Sequence, residues 1–140
     1  MKKIFLTILT SITLLLSGHA FADANNPTQQ EIQHLLNFIA NSSCTFVRNG
    51  SEYPATEARA HIERKYEYVK SRIDSSEKFI KYAATQSSMS GDPYRVKCAE
   101  KEILSKDWLL NELKDLRDKK RFIKTGTATP PIPRPARSGM

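Results

Sequence analysis

Cys44-Thr45-Phe46-Val47-Arg48-Asn49-Gly50-Ser51-Glu52-Tyr53 is the stretch that decides the fold. Before it the apolar residues recur three and four apart, within it they alternate, and at its centre stands Asn49-Gly50, whose residues tolerate the positive φ of a tight hairpin turn. A hairpin on that turn sets Phe46 opposite Tyr53. Because strand side chains alternate between faces, Cys44 and Arg48 fall on the Phe46 side. Two strands this short do not stand alone in water. The rest of the chain must supply helices to cover them and a support alongside.

On the N-terminal side, Thr28-Gln29-Gln30-Glu31 has the spacing of a capping box, and Ile32, Leu35, Leu36 and Ile39 follow at helical spacing. This predicts a helix from about Gln29 to Asn41. On the C-terminal side, Thr56 is placed to cap a second helix whose seam is Ala58, Ile62, Tyr66, Val69 and Ile73. Asp74-Ser75-Ser76-Glu77 reads as a further capping box, opening a third helix through Phe79, Ile80 and Ala83 or kinking the second. Thr85 to Pro93 is rich in hydroxyls and turn formers and reads as loop, and Tyr94-Arg95-Val96-Lys97-Cys98 alternates as a strand. Ser105 then caps a fourth helix with Trp108, Leu109, Leu113 and Leu116 inward, Leu104 stapled against Leu109, and fraying near Arg121. No repeat with a period of 20 to 50 residues is evident in the sequence.

The ends have a different composition. Lys2 and Lys3, an apolar run from Ile4 to Leu16, and Ala20-Phe21-Ala22 before Asp23 describe a cleavable secretory signal over residues 1–22, cut after Ala22. The short basic and apolar segments suit a bacterial signal and hence the periplasm, with an extracellular destination left open. Residues 122–140 carry Pro130, Pro131, Pro133 and Pro135 among small and basic residues, which predicts a disordered tail. Between them, residues 23–121 form one domain. No second long apolar run follows the signal, so no transmembrane anchor is expected.

The formal net charge of +7 divides unevenly. Residues 119–140 hold six basic side chains and no acid, which leaves the body of the domain near neutral. A basic nucleic-acid face is therefore not indicated. Cys44 and Cys98 are the only cysteines, and in an exported chain they pair as a disulfide; a Cys44 thiolate beside His61 would require a reducing compartment. With that bond the Tyr94–Cys98 strand comes to lie beside the hairpin. The expected fold is mainly α (α+β), with about four helices, a short hairpin, a third strand and one disulfide.

The chemistry-bearing residues fall into three groups. His61 has Glu57 four residues before it and Lys65 four after, on one helix flank, so a carboxylate could orient the imidazole as in an acid–base device; a histidine bonded to a loop carbonyl is the plainer alternative. His34 has no evident partner. Arg48, beside the hairpin tip, offers a fork of donors to a carboxylate or phosphate. The loop Ser87-Ser88-Met89-Ser90-Gly91-Asp92-Pro93-Tyr94 combines hydroxyls with a glycine, but lacks both the Gly-x-Ser-x-Gly elbow and the phosphate-loop Gly-Lys. Zinc-type spacing of Cys and His is absent from the sequence, so no metal and no cofactor is expected.

Taken in order, Ile32-x-x-Leu35-Leu36-x-x-Ile39, Cys44-x-Phe46-x-Arg48-Asn49-Gly50, Ala58-x-x-His61-x-x-x-Lys65-Tyr66, Glu77-x-Phe79-Ile80, Ser87-Ser88-x-Ser90-Gly91-x-Pro93-Tyr94 and Trp108-Leu109 resemble the YfeK-like proteins, small exported bacterial proteins of unknown function. The resemblance covers about residues 28–117. It implies a periplasmic setting and marks Arg48, His61, Lys65, Ser88, Ser90 and Tyr94 as a polar set, without an activity. Two functions follow as expectations. One is a binding or adaptor module of the cell envelope, with a polar ligand site near Arg48, His61 and the Ser87–Tyr94 loop; the other is an envelope hydrolase with His61 as general base.

Overall fold

The computed structural model describes residues 26–126; the expected signal, and the tail from residue 127 onward, lie outside the described residues. The chain runs α1 (Pro27–Asn41), β1 (Thr45–Arg48), β2 (Ser51–Pro54), α2 (Ala55–Val69), α3 (Ser76–Ala83), β3 (Arg95–Cys98), β4 (Lys101–Leu104) and α4 (Ser105–Thr125). It is an α and β mixture with one disulfide. The sheet, however, has four antiparallel strands in the order β2-β1-β3-β4, one more than the sequence suggests. Lys101-Glu102-Ile103-Leu104 carries neither alternation nor a turn signal strong enough to mark a strand.

The predicted register holds. Phe46 lies opposite Tyr53 in one pairing and opposite Val96 in the other, and Val96 lies opposite Ile103, so Tyr53, Phe46, Val96 and Ile103 form one row across the sheet. The face bearing Phe46 and Val96 is covered by the helices and is buried at both residues. The other face carries charges, where Lys97 pairs with Glu52 and Glu102 and Arg95 pairs with Glu102. Such a sheet can leave one face wet because antiparallel strands need only one covered side. One step beyond Thr45↔Lys97 the register meets Cys44 and Cys98, which are disulfide-bonded with their Cα atoms 4.5 Å apart.

Beneath the sheet, Ile32, Leu35, Leu36 and Ile39 of α1 pack with Ile62 and Tyr66 of α2, Phe79 and Ile80 of α3, and Leu109 and Leu113 of α4, all buried. The stripes were legible; the helix ends less so. Asn26, not Thr28, caps α1, its side chain accepting from the Thr28 and Gln29 amides, and Pro27 opens the helix. Proline suits that first position because its missing N–H would have no intrahelical acceptor there. Glu31 is thereby released from the expected capping box and turns inward to Ser76 and Arg117. Pro54 rather than Thr56 precedes α2, and a 3₁₀ turn at Lys70–Arg72 separates α2 from α3 instead of a kink. Ser75, one residue later than expected, caps α3 by accepting from the Lys78 amide. Leu104 is the cap residue of α4, Ser105 is its first residue, and the helix continues past Arg121 to Thr125.

The strand–strand–helix units repeat. Thr45 and Arg95 open β1 and β3, Ser51 and Lys101 open β2 and β4, and Ala55 and Ser105 open α2 and α4, fifty residues apart in each case. The hairpins meet through their first strands, antiparallel, as a twofold relation requires. Even the turns correspond, since Asn49 and Ala99 both have positive φ, 50° and 54°. The sequence hides this repeat because the matched side chains differ: Arg48 against Cys98, Tyr53 against Ile103, Ala58 against Trp108. Asn49 takes the left-handed conformation readily, whereas Ala99 does so at a cost and gives no turn signal.

Candidate functional site

A cavity of about 290 Å³ opens between the first hairpin and α2. Phe46 and Arg48 of β1, Tyr53 of β2, His61 and Arg64 of α2, and Tyr94 just before β3 stand in its wall. Each is there for a local reason. Arg48 is two residues from Phe46 and so projects from the same face of β1, and one step beyond Val47↔Arg95 the register brings it opposite Tyr94. On α2, Ala58 and Ile62 point to the core, and His61 and Arg64 follow on the adjoining flank. Ala58 matters most for volume. Its counterpart in the second half, Trp108, fills its surroundings by packing on Phe38 and Phe46, with ring centroids 4.4 and 5.6 Å away.

His61 Nε2 lies 2.9 Å from the Tyr94 hydroxyl, and the two rings meet edge to face. Lys65 Nζ donates to the Gln86 carbonyl at 2.5 Å and to the Tyr94 oxygen at 3.4 Å. The Tyr94 hydroxyl is thus shared between the His61 imidazole and the Lys65 ammonium. Arg48 stacks over the Tyr53 ring at 4.4 Å from its centroid.

Burial, reinforced by the charges of Arg48, Lys65 and Arg64, pushes the His61 imidazole down to about 4. Burial likewise raises the Tyr94 phenol, against a smaller opposing pull from Arg48, and lowers the Lys65 ammonium, aided by Arg48. At neutral pH the site therefore holds an uncharged His61–Tyr94 pair among cationic side chains. The bonded partner of His61 is Tyr94 rather than the expected Glu57, which stands elsewhere in the cavity wall. His34 has a partner after all: its Nε2 lies 2.6 Å from Glu112 Oε1 on α4.

Of the polar set read from the sequence, the structure brings Arg48, His61, Lys65 and Tyr94 together. Ser90 serves differently. Its hydroxyl donates to Asn49 Oδ1 at 2.8 Å, tying the loop to the tip of the first hairpin. Ser88 is exposed, and no residue from Ser87 to Ser90 lines the cavity. Sequence reading missed Tyr53, Ala58, Arg64 and Ser105. Arg64, three residues after His61, was findable from helical spacing. Ser105 was read only as a cap, yet it lines the cavity, fully buried, and its Oγ has no hydrogen-bond partner among the described residues. Among the described residues no group of three or more His, Cys, Asp and Glu side chains could hold a metal ion. Nor, among them, is any helix long and apolar enough to cross a membrane.

Comparison with known proteins places these residues in context. Residues 26–117 match the family described as "Family of unknown function (DUF5329)". The uncharacterized protein YfeK of Salmonella typhimurium (strain LT2) is 38% identical over 95 residues, a span covering 67% of this chain and 77% of that protein. No solved structure matches.

Proposed function

We propose, from the premise that this chain belongs to the DUF5329 family of unknown function, that it is an exported binding module of the bacterial cell envelope, taking a small ligand in the cavity between the first hairpin and α2. The observation that carries the reading is the cavity itself, with apolar walls and a few convergent polar groups in Arg48, His61, Arg64 and Tyr94, the usual make-up of a small-molecule site. Export is supported by the signal-like residues 1–22 and by the Cys44–Cys98 disulfide, which persists in an oxidising compartment such as the periplasm. The hydrolase alternative has less behind it. A general base needs a nucleophile within reach, and the hydroxyl bonded to His61 is a phenol whose proton is held more tightly than usual.

The test is a fragment screen read by NMR on the wild type and on Ala58→Leu, which places a larger side chain in the cavity wall. In the wild type, binding fragments shift resonances of Arg48, Tyr53, His61 and Tyr94. Ala58→Leu weakens the same fragments at least tenfold while its fold, checked by circular dichroism, is retained. Shifts confined to other surfaces, or equal binding by the leucine variant, would reject the cavity as the site.

A further inference from the structure

Resting on that reading, we infer that the ligand is a small amphipathic carboxylate: an apolar body of about ten heavy atoms whose anionic end is held by Arg48 and Arg64. Three observations on the cavity lead there.

The first is the state of its arginines. Outside the cavity, Arg59, Arg95, Arg117 and Arg121 each lie within ion-pair distance of a carboxylate, and among the described residues Arg72 alone does not. Arg48 and Arg64, the two in the cavity wall, have no carboxylate partner among the described residues. A guanidinium beside apolar surface is a strong site for a carboxylate, because its planar fork matches the two oxygens and water competes less well there. Arg48 is also held in place by its stack on Tyr53, so less side-chain freedom is lost on binding.

The second is the charge balance. Glu57 is the one acid in the wall among the described residues, against Arg48 and Arg64, and Lys65 stands behind the wall with its ammonium 3.4 Å from the Tyr94 hydroxyl, while His61 is neutral at neutral pH. The site is net positive, which favours an anion and repels a cation.

The third is size and lining. At roughly 30 Å³ for each water-sized unit, about 290 Å³ admits about ten heavy atoms. Phe46, Tyr53, Ala58 and Ile62 supply a wall that would cover an apolar body rather than a sugar.

Titration calorimetry at neutral pH with octanoate, octan-1-ol, octylammonium and acetate tests the class. Octanoate should bind at least tenfold tighter than octanol, and acetate and octylammonium at least tenfold weaker than octanoate. Arg48→Met should bring octanoate down to the level of octanol and leave octanol unchanged; Ala58→Leu should weaken both. Octanol or octylammonium binding as tightly as octanoate, with sensitivity to Ala58→Leu retained, would overturn the anionic class and leave the cavity reading standing. Failure of all four probes would overturn the class as well, and a fragment screen also silent at the cavity would remove the site itself.

Discussion

Replacing both Cys44 and Cys98 by alanine should lower the unfolding free energy by about 4 kcal/mol, measured by urea denaturation. The bond closes a sequence separation of 54 residues, and the chain-entropy relation for a loop of that length gives about this value. Most of the effect lies in the unfolded chain, which regains the freedom the cross-link removes. A native contribution adds to it. The bond ties the first strands of the two hairpins, β1 and β3, at one end of their shared register, and the remaining pairing there spans only Thr45–Val47. For a domain whose total stability is ordinarily about 5–15 kcal/mol, such a loss brings many molecules near unfolding at body temperature. A loss below about 1 kcal/mol would contradict the loop-closure contribution.

The second large effect is expected from Arg117→Met. Arg117 Nε and Nη2 donate to the two oxygens of Glu31 at 2.9 and 2.8 Å, and Nη1 donates to Glu77 at 2.5 Å. Ser76 Oγ donates to Glu31 as well, at 2.7 Å. Glu31 is 9% exposed, so removing the guanidinium strands a buried carboxylate. Breaking one side of such a pair costs ~3–5 kcal/mol, and about 3 is expected here because the Arg117 side chain is 41% exposed. Replacing Glu31 by Leu in the same variant should recover most of it, since the stranded charge is then gone. The network also fixes an acid limb. The hydrogen bond from Arg117 is the main cause holding both Glu31 and Glu77 below the usual carboxylate range. Groups depressed in the folded state stabilise it fully above their unfolded pKa, near 4.5, and that contribution is lost as pH falls through the folded value. The gap between wild type and Arg117→Met should therefore shrink on acidification below about 4.5.

What was legible in the sequence was whatever a single period or a single strong turn could signal. Ile32, Leu35, Leu36 and Ile39 announced α1, Asn49-Gly50 announced the first hairpin with its Phe46–Tyr53 register, and two cysteines behind a signal-like start announced the disulfide. The second hairpin was hidden because Ala99 adopts its left-handed conformation under tertiary constraint, not by preference. The site was half legible for the same reason. His61 and Lys65 share a helix flank that spacing reveals, but Arg48 and Tyr94, forty-six residues apart, meet only because β1 pairs with β3. Ser105 carried a misleading signal. A serine before an apolar helix looks like a cap, and here its hydroxyl has no hydrogen-bond partner among the described residues.

Burial among cationic side chains holds His61 neutral before any ligand arrives. The measurement closest to that claim is an NMR pH titration of the His61 imidazole in the ligand-free wild type, assigned by comparison with His61→Gln. The predicted midpoint is about 4, with no titration of this ring between pH 5 and 8. Because the folded-state value lies below the unfolded one, His61 should also make the protein lose stability as pH falls below about 6.5. A midpoint at the ordinary value near 6.5 would place His61 in water and contradict the account.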